Sequence, residues 1–400
     1  MDNDIKTDTS GNPVVIFFEN SFLYKASCLR FNGTQWEQIG KSTFNNFSIT
    51  DLLDFEIDHT NNYYILYLDS AYNTSCMRFN GDTWEFVGSP YISTEYSPFQ
   101  SLAVDNSGIV YVASQSQSGF YIVKENGESW IPVSTNGLTG VDRYFDLVFD
   151  NENVALFSYC GSNGKVPNCA KFQNNNWVSV GSAISSTFFA AEPHLLITKD
   201  RQIYTGFGHT QMGFYKFDNQ TNEWLIMDTD GLGETFGPIT NLISDSNSNI
   251  YISTWGDRAR CFSYSGSSWY QLGDDGISET EAGYPNIALS KYDILYATLN
   301  DFKIGKAVVK KYVKTSDIDN FFQDDLVKVY PNIVRDRFCV ELTGQKFAVI
   351  IYDTKGNLVF GNTNGFDKIE IDSNEFSKGI YIIRVSSANR TFHYRRLIVI

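Results

Sequence analysis

The chain has 400 residues, and its 31 Lys and Arg against 46 Asp and Glu give a formal net charge of −15 at pH 7. Hydrophobic residues make up 42% of the sequence, which is enough for packed cores, and the length suits two domains. The sequence contains no apolar run of about 18 residues, so it offers no membrane helix. The acidic balance argues against nucleic acid and anionic membranes as partners.

The sequence up to Gly273 contains a repeat that is marked by tryptophan. Spacings of 48, 46, 47, 47 and 45 residues separate Trp36, Trp84, Trp130, Trp177, Trp224 and Trp269. Such a period indicates a repeat architecture, because each repeat is too small to bury its own apolar face and must stack on its neighbours. We therefore predict that these indoles pack between repeats rather than contact a ligand.

Each repeat reads as four short strands. In the second repeat the predicted strands are residues 52–58, 63–68, 75–79 and 84–87, bounded by turns rich in Asn, Asp and Gly. The first turn recurs with Asp at its first position, as at residues 8–11, and we interpret it as a structural turn rather than a calcium loop. A four-stranded unit of this length is typical of a β-propeller blade.

Six full repeats end at Gly273, and a seventh follows without its tryptophan. Its three predicted strands are residues 287–290, 294–298 and 307–313. We therefore predict an all-β chain with a seven-bladed β-propeller over residues 1–313, with six blades as the alternative. An open edge strand is an aggregation hazard, so we expect a fourth strand from residues upstream of Met1 or from residues 317–322.

Two copies of the repeat resemble known propeller families. The segment from Tyr215 to Trp224 resembles the kelch repeat. The segment from Leu242 to Trp255 resembles the propeller repeats of two-component sensors from Bacteroidetes. Both resemblances imply a propeller fold, and neither implies an activity, because one fold hosts many functions.

The period stops after a polar linker at residues 314–325, and residues 326–400 read as about seven short strands with tight turns. This pattern predicts a small immunoglobulin-like antiparallel β-sandwich. The segment carries four short motifs, which are Tyr330-Pro331-Asn332, Tyr352-Asp353 followed by Gly356, Gly379 with Tyr381, and Arg395-Arg396 before an apolar end.

In order and spacing these motifs resemble the C-terminal sorting domain of type IX secretion cargo in Bacteroidetes. That family usually has Tyr-Pro-Asn-Pro, and Ile333 stands here in the place of the second proline. The resemblance implies that the secretion machinery recognises residues 326–400 and exports the chain to the medium or the outer-membrane surface of a Gram-negative bacterium. No signal peptide is visible at the start of the sequence, and we expect that one has been removed.

Charge is distributed unevenly between the two parts of the chain. Residues 1–325 hold 20 basic and 39 acidic side chains, a net of −19, whereas residues 326–400 hold 11 and 7, a net of +4. We therefore expect the basic C-terminal part to meet an acidic component of the secretion apparatus.

No motif in the sequence points to a cofactor or a metal. The four histidines are scattered, no Gly-x-Ser-x-Gly elbow appears, and no Cys-x-x-Cys pair suggests zinc. Of the six cysteines, Cys160 and Cys169 flank one hairpin loop, so the sequence leaves open whether these two form a disulfide. We therefore predict no cofactor and no metal, favour a non-catalytic role and leave catalysis open.

The candidate ligand-binding residues lie in loops at one face of the predicted ring, because loops on a rigid scaffold carry function. They are Trp255, Asp257, Arg258, His209, Arg143, Tyr144, Tyr96 and Tyr284. Trp255 is the only tryptophan outside the regular spacing. Exposed aromatic rings beside polar groups suit sugar rings or peptides, and the alternative is that these rings fill the central channel.

These observations predict a secreted or surface-displayed binding or scaffold protein, whose propeller binds a glycan, a peptide or another protein. The alternative is a hydrolase or lyase that acts on polysaccharide, because propellers also host such sites. Convergent acid and base residues with shifted pKa values on the loop face would favour this alternative.

Overall fold

The computed structural model describes residues 3–20, 25–40, 49–161, 167–182, 184, 192–208, 212–232, 237–256, 258–264, 266, 268–273, 276–278, 282–303, 305–312, 327–354, 356–387 and 392–400. Within these ranges all helix or strand structure is β-strand, which confirms the predicted class. The chain divides into two compact units, Met1–Tyr312 and Val313–Ile400. The predicted linker at 314–325 lies outside the described residues.

Seven antiparallel sheets follow one another along the first unit, and each contains strands that are consecutive in the chain. The first two sheets contain β1 (Asn3–Thr7), β2 (Pro13–Asn20), β3 (Lys25–Phe31), β4 (Trp36–Gln38), β5 (Ile49–Ile57), β6 (Tyr63–Asp69), β7 (Thr74–Phe79) and β8 (Trp84–Phe86). The next two contain β9 (Phe99–Val104), β10 (Val110–Ser116), β11 (Gly119–Asn126), β12 (Ser129–Val133), β13 (Phe145–Phe149), β14 (Ala155–Cys160), β15 (Pro167–Gln173) and β16 (Asn176–Ser179).

The last three sheets of this unit contain β17 (His194–Ile197), β18 (Ile203–Gly208), β19 (Met212–Asp218), β20 (Glu223–Ile226), β21 (Ile239–Ser244), β22 (Ile250–Thr254), β23 (Arg260–Tyr264), β24 (Trp269–Gln271), β25 (Ala282–Leu289), β26 (Leu295–Asp301) and β27 (Lys306–Lys311). The first strand of each sheet contacts the first strand of the next, and β25 contacts β1. The sheets therefore form a closed ring, which confirms seven blades and excludes the alternative of six.

Each blade begins with a hairpin whose turn is capped by a side chain. In all seven blades the side chain of the residue that directly follows the innermost strand accepts a hydrogen bond from the backbone N–H four positions later. The capping residues are Asp8, Asp58, Asp105, Asp150, Thr198, Asp245 and Ser290. This use of the side chain is the ordinary role of Asp, Ser and Thr in turns, and it agrees with the structural interpretation of these loops.

The regularly spaced indoles join neighbouring blades, as predicted. Five of them donate a hydrogen bond from Nε1 to a carbonyl oxygen just after the outer strand of the preceding blade. The pairs are Trp84 with Ile39 (3.3 Å), Trp130 with Ser89 (3.4 Å), Trp177 with Ser134 (2.9 Å), Trp224 with Val180 (2.8 Å) and Trp269 with Asp228 (3.0 Å). Each indole therefore fills the outer gap between two blades and satisfies its own polar group there.

The junction between the first and seventh blades differs at its outer edge. Within the described residues the seventh sheet has three strands, and Trp36 of the first blade is 38% exposed, whereas Trp269 is 2% exposed. Near the axis the junction is closed, because Thr7 Oγ1 donates to the carbonyl oxygen of Leu289 at 2.7 Å. The two predicted sources of a fourth strand, residues upstream of Met1 and residues 317–322, lie outside the described part of the chain.

The second unit contains six strands around one core. They are β28 (Lys328–Tyr330), β29 (Ile333–Val334), β30 (Arg337–Asp353), β31 (Leu358–Asp372), β32 (Gly379–Ser387) and β33 (Phe392–Val399). All pairings are antiparallel except that of β29 with β33. The hydrophobic core includes Phe338, Val349, Ile383 and Leu397.

The predicted count of about seven short strands in this unit is wrong. Instead, β30 and β31 are long strands that bend, and their mutual register shifts between Leu342 and Lys346. The first part of β30 pairs with β28, and its second part pairs with β32. One long strand therefore joins β28 to β32 within a single six-stranded sheet, and the predicted all-β class of this unit is confirmed.

The six cysteines are all free thiols. On the hairpin of β14 and β15, Cys160 faces Pro167 and Cys169 faces Ser158, so the register keeps the two sulfurs apart. Both lie buried among apolar side chains, where they act as small hydrophobic residues.

Replacing Trp269 by Ala should destabilise the protein far more than replacing Trp36 by Ala. Loss of a buried indole and its hydrogen bond typically lowers the free energy of unfolding by about 3–5 kcal/mol, and we expect about 1 kcal/mol for the exposed one. Urea unfolding of the two full-length variants measures this difference. Equal losses would contradict the assignment of the indoles as blade-to-blade contacts.

Candidate ligand site in the central channel

The innermost strands of all seven blades line a cavity of about 460 Å³ on the axis of the ring. Its volume lies in the range of pockets that hold small molecules, roughly 300–1,000 Å³. The cavity is lined by polar side chains on the strands and by a rim of larger residues from the loops that lead into them.

A set of seven polar side chains, which we call the polar belt, encircles this cavity. Its members occupy the same position in every blade, four residues before the capping residue of the first hairpin: Asp4, Asp54, Ser101, Asp146, His194, Asn241 and Asn286. Because side chains alternate between the two faces of a sheet, the constant spacing puts all seven belt residues on the same face of their strands.

Six of the seven members of the polar belt join their blade to the next one, whereas Asp4 accepts a hydrogen bond from the N–H of Ile5 in its own strand. In three blades a belt oxygen accepts a hydrogen bond from the backbone N–H of the following innermost strand: Asp54 from Leu102 (2.8 Å), Ser101 from Leu147 (3.1 Å) and Asp146 from Leu195 (2.8 Å). The next links are His194 Nε2 to Ile239 O (3.0 Å), Asn241 Nδ2 to Asn286 Oδ1 (3.3 Å) and Asn286 Nδ2 to Asn3 O (3.1 Å). The carbonyl partner requires that His194 carries its proton on Nε2.

Three belt carboxyls resist ionisation. Burial raises the pKa of Asp4 and of Asp146 to about 6, and it raises that of Asp54 as well. The counter-charge is Lys6, whose Nζ lies 2.6 Å from Glu56 Oε1. Burial alone would lower the pKa of Lys6, but Glu56, Asp4 and Asp54 together raise it. The wall of the cavity therefore carries buried acidic groups, and it favours neutral hydrogen-bonding groups or a cation.

Two aromatic pairs form the rim of the cavity. Phe99 and Tyr144 meet edge to face with their ring centroids 5.3 Å apart, and Trp255 stacks on Tyr284 at 4.9 Å with an interplanar angle of 29°. Tyr284 is exposed and has a φ of 46°, an uncommon left-handed conformation for a bulky residue. Backbone strain of this kind often accompanies a binding function, because it must be supported by the surrounding structure.

Two charged side chains of opposite sign also line the rim. The guanidinium of Arg143 is largely exposed, and its Nε lies 3.8 Å from Asp142 Oδ1. Glu192, directly before Pro193 and the belt residue His194, also has a left-handed backbone, with a φ of 51°. The rim therefore offers aromatic faces together with a donor and an acceptor.

The structure brings together some of the eight residues singled out from the sequence and not others. Arg143, Tyr144 and Tyr284 line the cavity, and Trp255 supports Tyr284 from behind. Tyr96 instead packs edge to face on Tyr72 at 5.3 Å, and neither Tyr96 nor Arg258 is part of the cavity lining. His209 and Asp257 lie outside the described residues.

Sequence reasoning missed the polar belt entirely. The signal was available, since each innermost strand carries one polar residue at a constant distance from the capping residue. It was hidden because the belt residue differs among blades, as the contrast of Asp146, His194 and Asn241 illustrates.

No cluster of three or more His, Cys, Asp or Glu side chains that is suited to a metal ion occurs in the part of the chain that the structure describes. Over the same residues, no helix has the length and apolar character needed to cross a membrane.

The residues that form the sorting motifs hold the second unit together. The carboxylate of Asp353 accepts a hydrogen bond from the N–H of Asn357 at 2.8 Å, and Gly356 provides the positive φ of that turn. Tyr381 is buried in the core, with its hydroxyl donating to Ser377 O at 2.6 Å. The buried Arg395 donates from Nε to Val327 O at 2.8 Å.

The other motif residues lie at the surface. Tyr330, which precedes Pro331 and Asn332, donates from its hydroxyl to Glu341 Oε2 at 2.6 Å. Tyr352 lies against the guanidinium of Arg384, 5.6 Å from its ring centroid. Gly379 begins β32, and Arg396 on β33 is exposed.

Comparison with known families identifies the second unit. Residues 328–400 match the family described as the secretion system C-terminal sorting domain. This match confirms the resemblance found in the motifs. The match marks residues 328–400 as a sorting domain, which implies export of the chain to the cell surface or the medium.

Two solved structures share the fold. One is PorZ, a surface component of the type IX secretion system of Porphyromonas gingivalis, at 13% identity and a TM-score of 0.52 over 99% of this chain and 59% of PorZ. The other is the extracellular domain of a hybrid two-component system from B. thetaiotaomicron, at 12% identity and a TM-score of 0.52 over 100% of this chain and 57% of that one. These identities support a common fold and nothing further about activity.

One curated relative is similar in sequence. An endo-acting ulvan lyase of Formosa agariphila is 25% identical over 195 residues, which cover 45% of this chain and 37% of the lyase. The chain thus spans just over half of the two solved chains and little more than a third of the lyase.

The raised pKa of Asp146 predicts a pH dependence that the variant Asp146→Asn should lack. A carboxyl whose pKa is about 6 in the folded chain, against 3.8 as its ordinary value, contributes stability that is lost as the pH rises through 6. Asparagine keeps the acceptor for Leu195 without the charge. Between pH 4 and pH 8 the free energy of unfolding should therefore shift by up to about 3 kcal/mol in favour of the variant.

Urea unfolding of both proteins at a series of pH values measures this shift. Parallel pH profiles for the wild type and the variant would contradict the assignment of a buried, proton-binding carboxyl to the channel wall.

Proposed function

We propose that this chain is an exported, non-catalytic binding protein whose ligand sits in the mouth of the central channel and is a carbohydrate. The observation that carries the proposal is the cavity of about 460 Å³, in which aromatic rings at the rim lie above a wall of hydrogen-bonding groups. Aromatic rings cover the apolar faces of sugar rings, and polar groups fix their orientation.

The rim supplies the contacts that such a ligand needs. The exposed ring of Tyr284 is held by the indole of Trp255, so a sugar that stacks on it meets a surface that is already ordered. Arg143 and Glu192 add a donor and an acceptor for hydroxyl groups. A preorganised site of this kind loses little entropy on binding.

The hydrogen bonds that occupy the polar belt favour binding over catalysis. His194 uses Nε2 to reach Ile239 O, and burial lowers its pKa, so the imidazole stays neutral and fixed. Asp146 is committed to the N–H of Leu195. Groups that hold the scaffold in this way are poorly placed to exchange protons with a substrate, since a general acid or base must reach the reacting atom.

A second candidate function is a polysaccharide hydrolase or lyase. The observation that favours it is the 25% identity with the endo-acting ulvan lyase, over a stretch longer than the sorting domain alone. Tyr144 and Glu192 at the rim and His194 in the polar belt would then be the candidate proton-transfer groups. Release of shortened or unsaturated sugars from ulvan or other polysaccharides by the purified protein would establish this function and overturn the non-catalytic proposal.

Wild-type protein should bind a subset of sugars on a glycan array, and Tyr284→Ala or Trp255→Ala should weaken that binding. Aromatic contacts worth roughly 0.5–1.5 kcal/mol correspond to a loss of about threefold to tenfold in affinity. Tyr270→Ala is the matched control, because Tyr270 is exposed on the outer strand β24, away from the cavity. Absence of binding by the wild type, or an equal effect of all three substitutions, would refute the carbohydrate site.

Deletion of residues 326–400 should abolish export while the propeller remains inside the cell, because the deletion removes the sorting domain. Immunoblots of culture medium, cell surface and cell lysate measure the distribution. Unchanged export of the truncated chain would contradict the role of this segment.

A further inference from the structure

Three isoleucines lie side by side on the outer surface of the sorting domain. The register places Ile398 of β33 between Ile380 of β32 and Ile333 of β29. Ile333 is 52% exposed and Ile380 is 48% exposed, while Ile398 between them is partly covered. We call this row the isoleucine face.

The row faces outward because the residues beside it face the core. Val334, Tyr381, Leu397 and Val399 are the chain neighbours of these isoleucines, and all four are buried. Since successive side chains on a strand point to opposite sides of a sheet, the isoleucines must point away from that core. Ile400, which is also exposed, extends the same side of β33 by one further position.

The backbone under the isoleucine face is firmly paired. β32 and β33 are joined from Gly379 to Ser386 in continuous register. β29 is fixed to β33 by hydrogen bonds from the N–H of Ile398 to Asn332 O at 2.8 Å and from the N–H of Ile400 to Val334 O at 2.9 Å. Branched side chains on a fixed sheet form a rigid apolar surface, and contiguous exposed apolar surface of this kind marks an interaction site.

Ile333 is the position at which this chain departs from the usual sorting motif, where a second proline is expected. The two hydrogen bonds that hold β29 use the carbonyl oxygens of its neighbours Asn332 and Val334. Isoleucine in place of proline is therefore not needed for the pairing of β29 with β33, and its effect is to lengthen the row of apolar side chains.

Positive charge borders the isoleucine face. Arg396 is exposed on β33 two residues before Ile398, and it pairs across the sheet with Ile382. The whole segment 326–400 has a net charge of +4. A partner that covers the row would gain from carboxylates placed beside its own apolar surface.

We propose that the isoleucine face is the surface by which the sorting domain docks on a protein of the export machinery, and that this protein presents an apolar patch bordered by acidic residues. The matched family assigns sorting to this domain, and the isoleucine face is a rigid apolar surface on it with a complementary charge beside it. The proposal rests on the export role of the domain and is independent of the ligand of the propeller.

The test compares export of three full-length proteins in a Bacteroidetes host with an active type IX system. They are the wild type, the double variant Ile333→Thr with Ile380→Thr, and a control with Leu358→Thr and Val359→Thr, which changes two exposed apolar residues on β31 instead. Threonine keeps the β-branched or strand-forming character of the replaced side chains. We expect the isoleucine variant to lose about tenfold in secreted protein, as for a contact worth about 1.4 kcal/mol, and the control to be exported normally.

Unfolding of the purified proteins shows whether the sorting domain remains folded in each variant. If the double variant is unfolded, the same comparison of export is made with the single variant Ile380→Thr. Wild-type export by the folded variant, or an equal loss in the control, overturns the proposal. Sugar binding by the purified variants is scored separately, because a change in export with unchanged binding distinguishes this surface from the channel site.

Two further arms identify the partner. Arg396→Glu should also lower export relative to the wild type, and Arg396→Lys should preserve it, because the positive charge and not the guanidinium group is required. Sedimentation of the purified wild type tests the other occupant, a second copy of this chain. A dimer that the isoleucine substitutions dissociate would make the row a self-interface and overturn the proposal.

Discussion

The propeller depends on the hydrogen bonds by which polar side chains on its innermost strands reach the next strand around the channel. Seven strands that converge around a channel cannot bury their inner faces against a common apolar core. Polar groups placed there must be hydrogen-bonded, because an unsatisfied buried polar group is costly. The polar belt meets this requirement at six of its seven positions by bonding one innermost strand to the next, as Asp54, Asp146 and Asn286 illustrate.

The same constraint explains the acidity of the cavity and the position of the candidate site. Carboxylates serve well as acceptors for backbone N–H groups, but burial raises their pKa values, so Asp4 and Asp146 titrate near neutrality. Because the belt is occupied in holding the ring, groups free to meet a ligand are found at the rim, in Tyr284 and Arg143. The indoles repeat the same arrangement at the outer edge, where Trp177 and its equivalents bond to the preceding blade.

The sequence allowed prediction of those features that recur at a fixed spacing. The tryptophan series marked six of the seven blades, and the capping Asp residues marked most of the hairpins, because each has one chemical identity in most copies. The polar belt could not be predicted in this way, because its position requires only a side chain that forms hydrogen bonds. Ser101, Asp146 and His194 all satisfy that requirement. Likewise, the stacking of Trp255 on Tyr284 joins two blades, and no local pattern reveals such a pair. In the sorting domain, local sequence patterns predicted short strands, whereas the structure has the single long, bent strand β30.

Hydrogen exchange at the amides of Leu102, Leu147 and Leu195 tests the central role of the belt most directly, since these three donate to belt side chains of the preceding blade. The account predicts that all three belong to the slowest-exchanging class in the wild type. It also predicts that Asn286→Ala, which breaks the bonds that join the seventh blade to the sixth and to the first, accelerates them together although they lie in distant blades. Rapid exchange of these amides in the wild type, or an effect of Asn286→Ala confined to β21, β25 and β1, would contradict it.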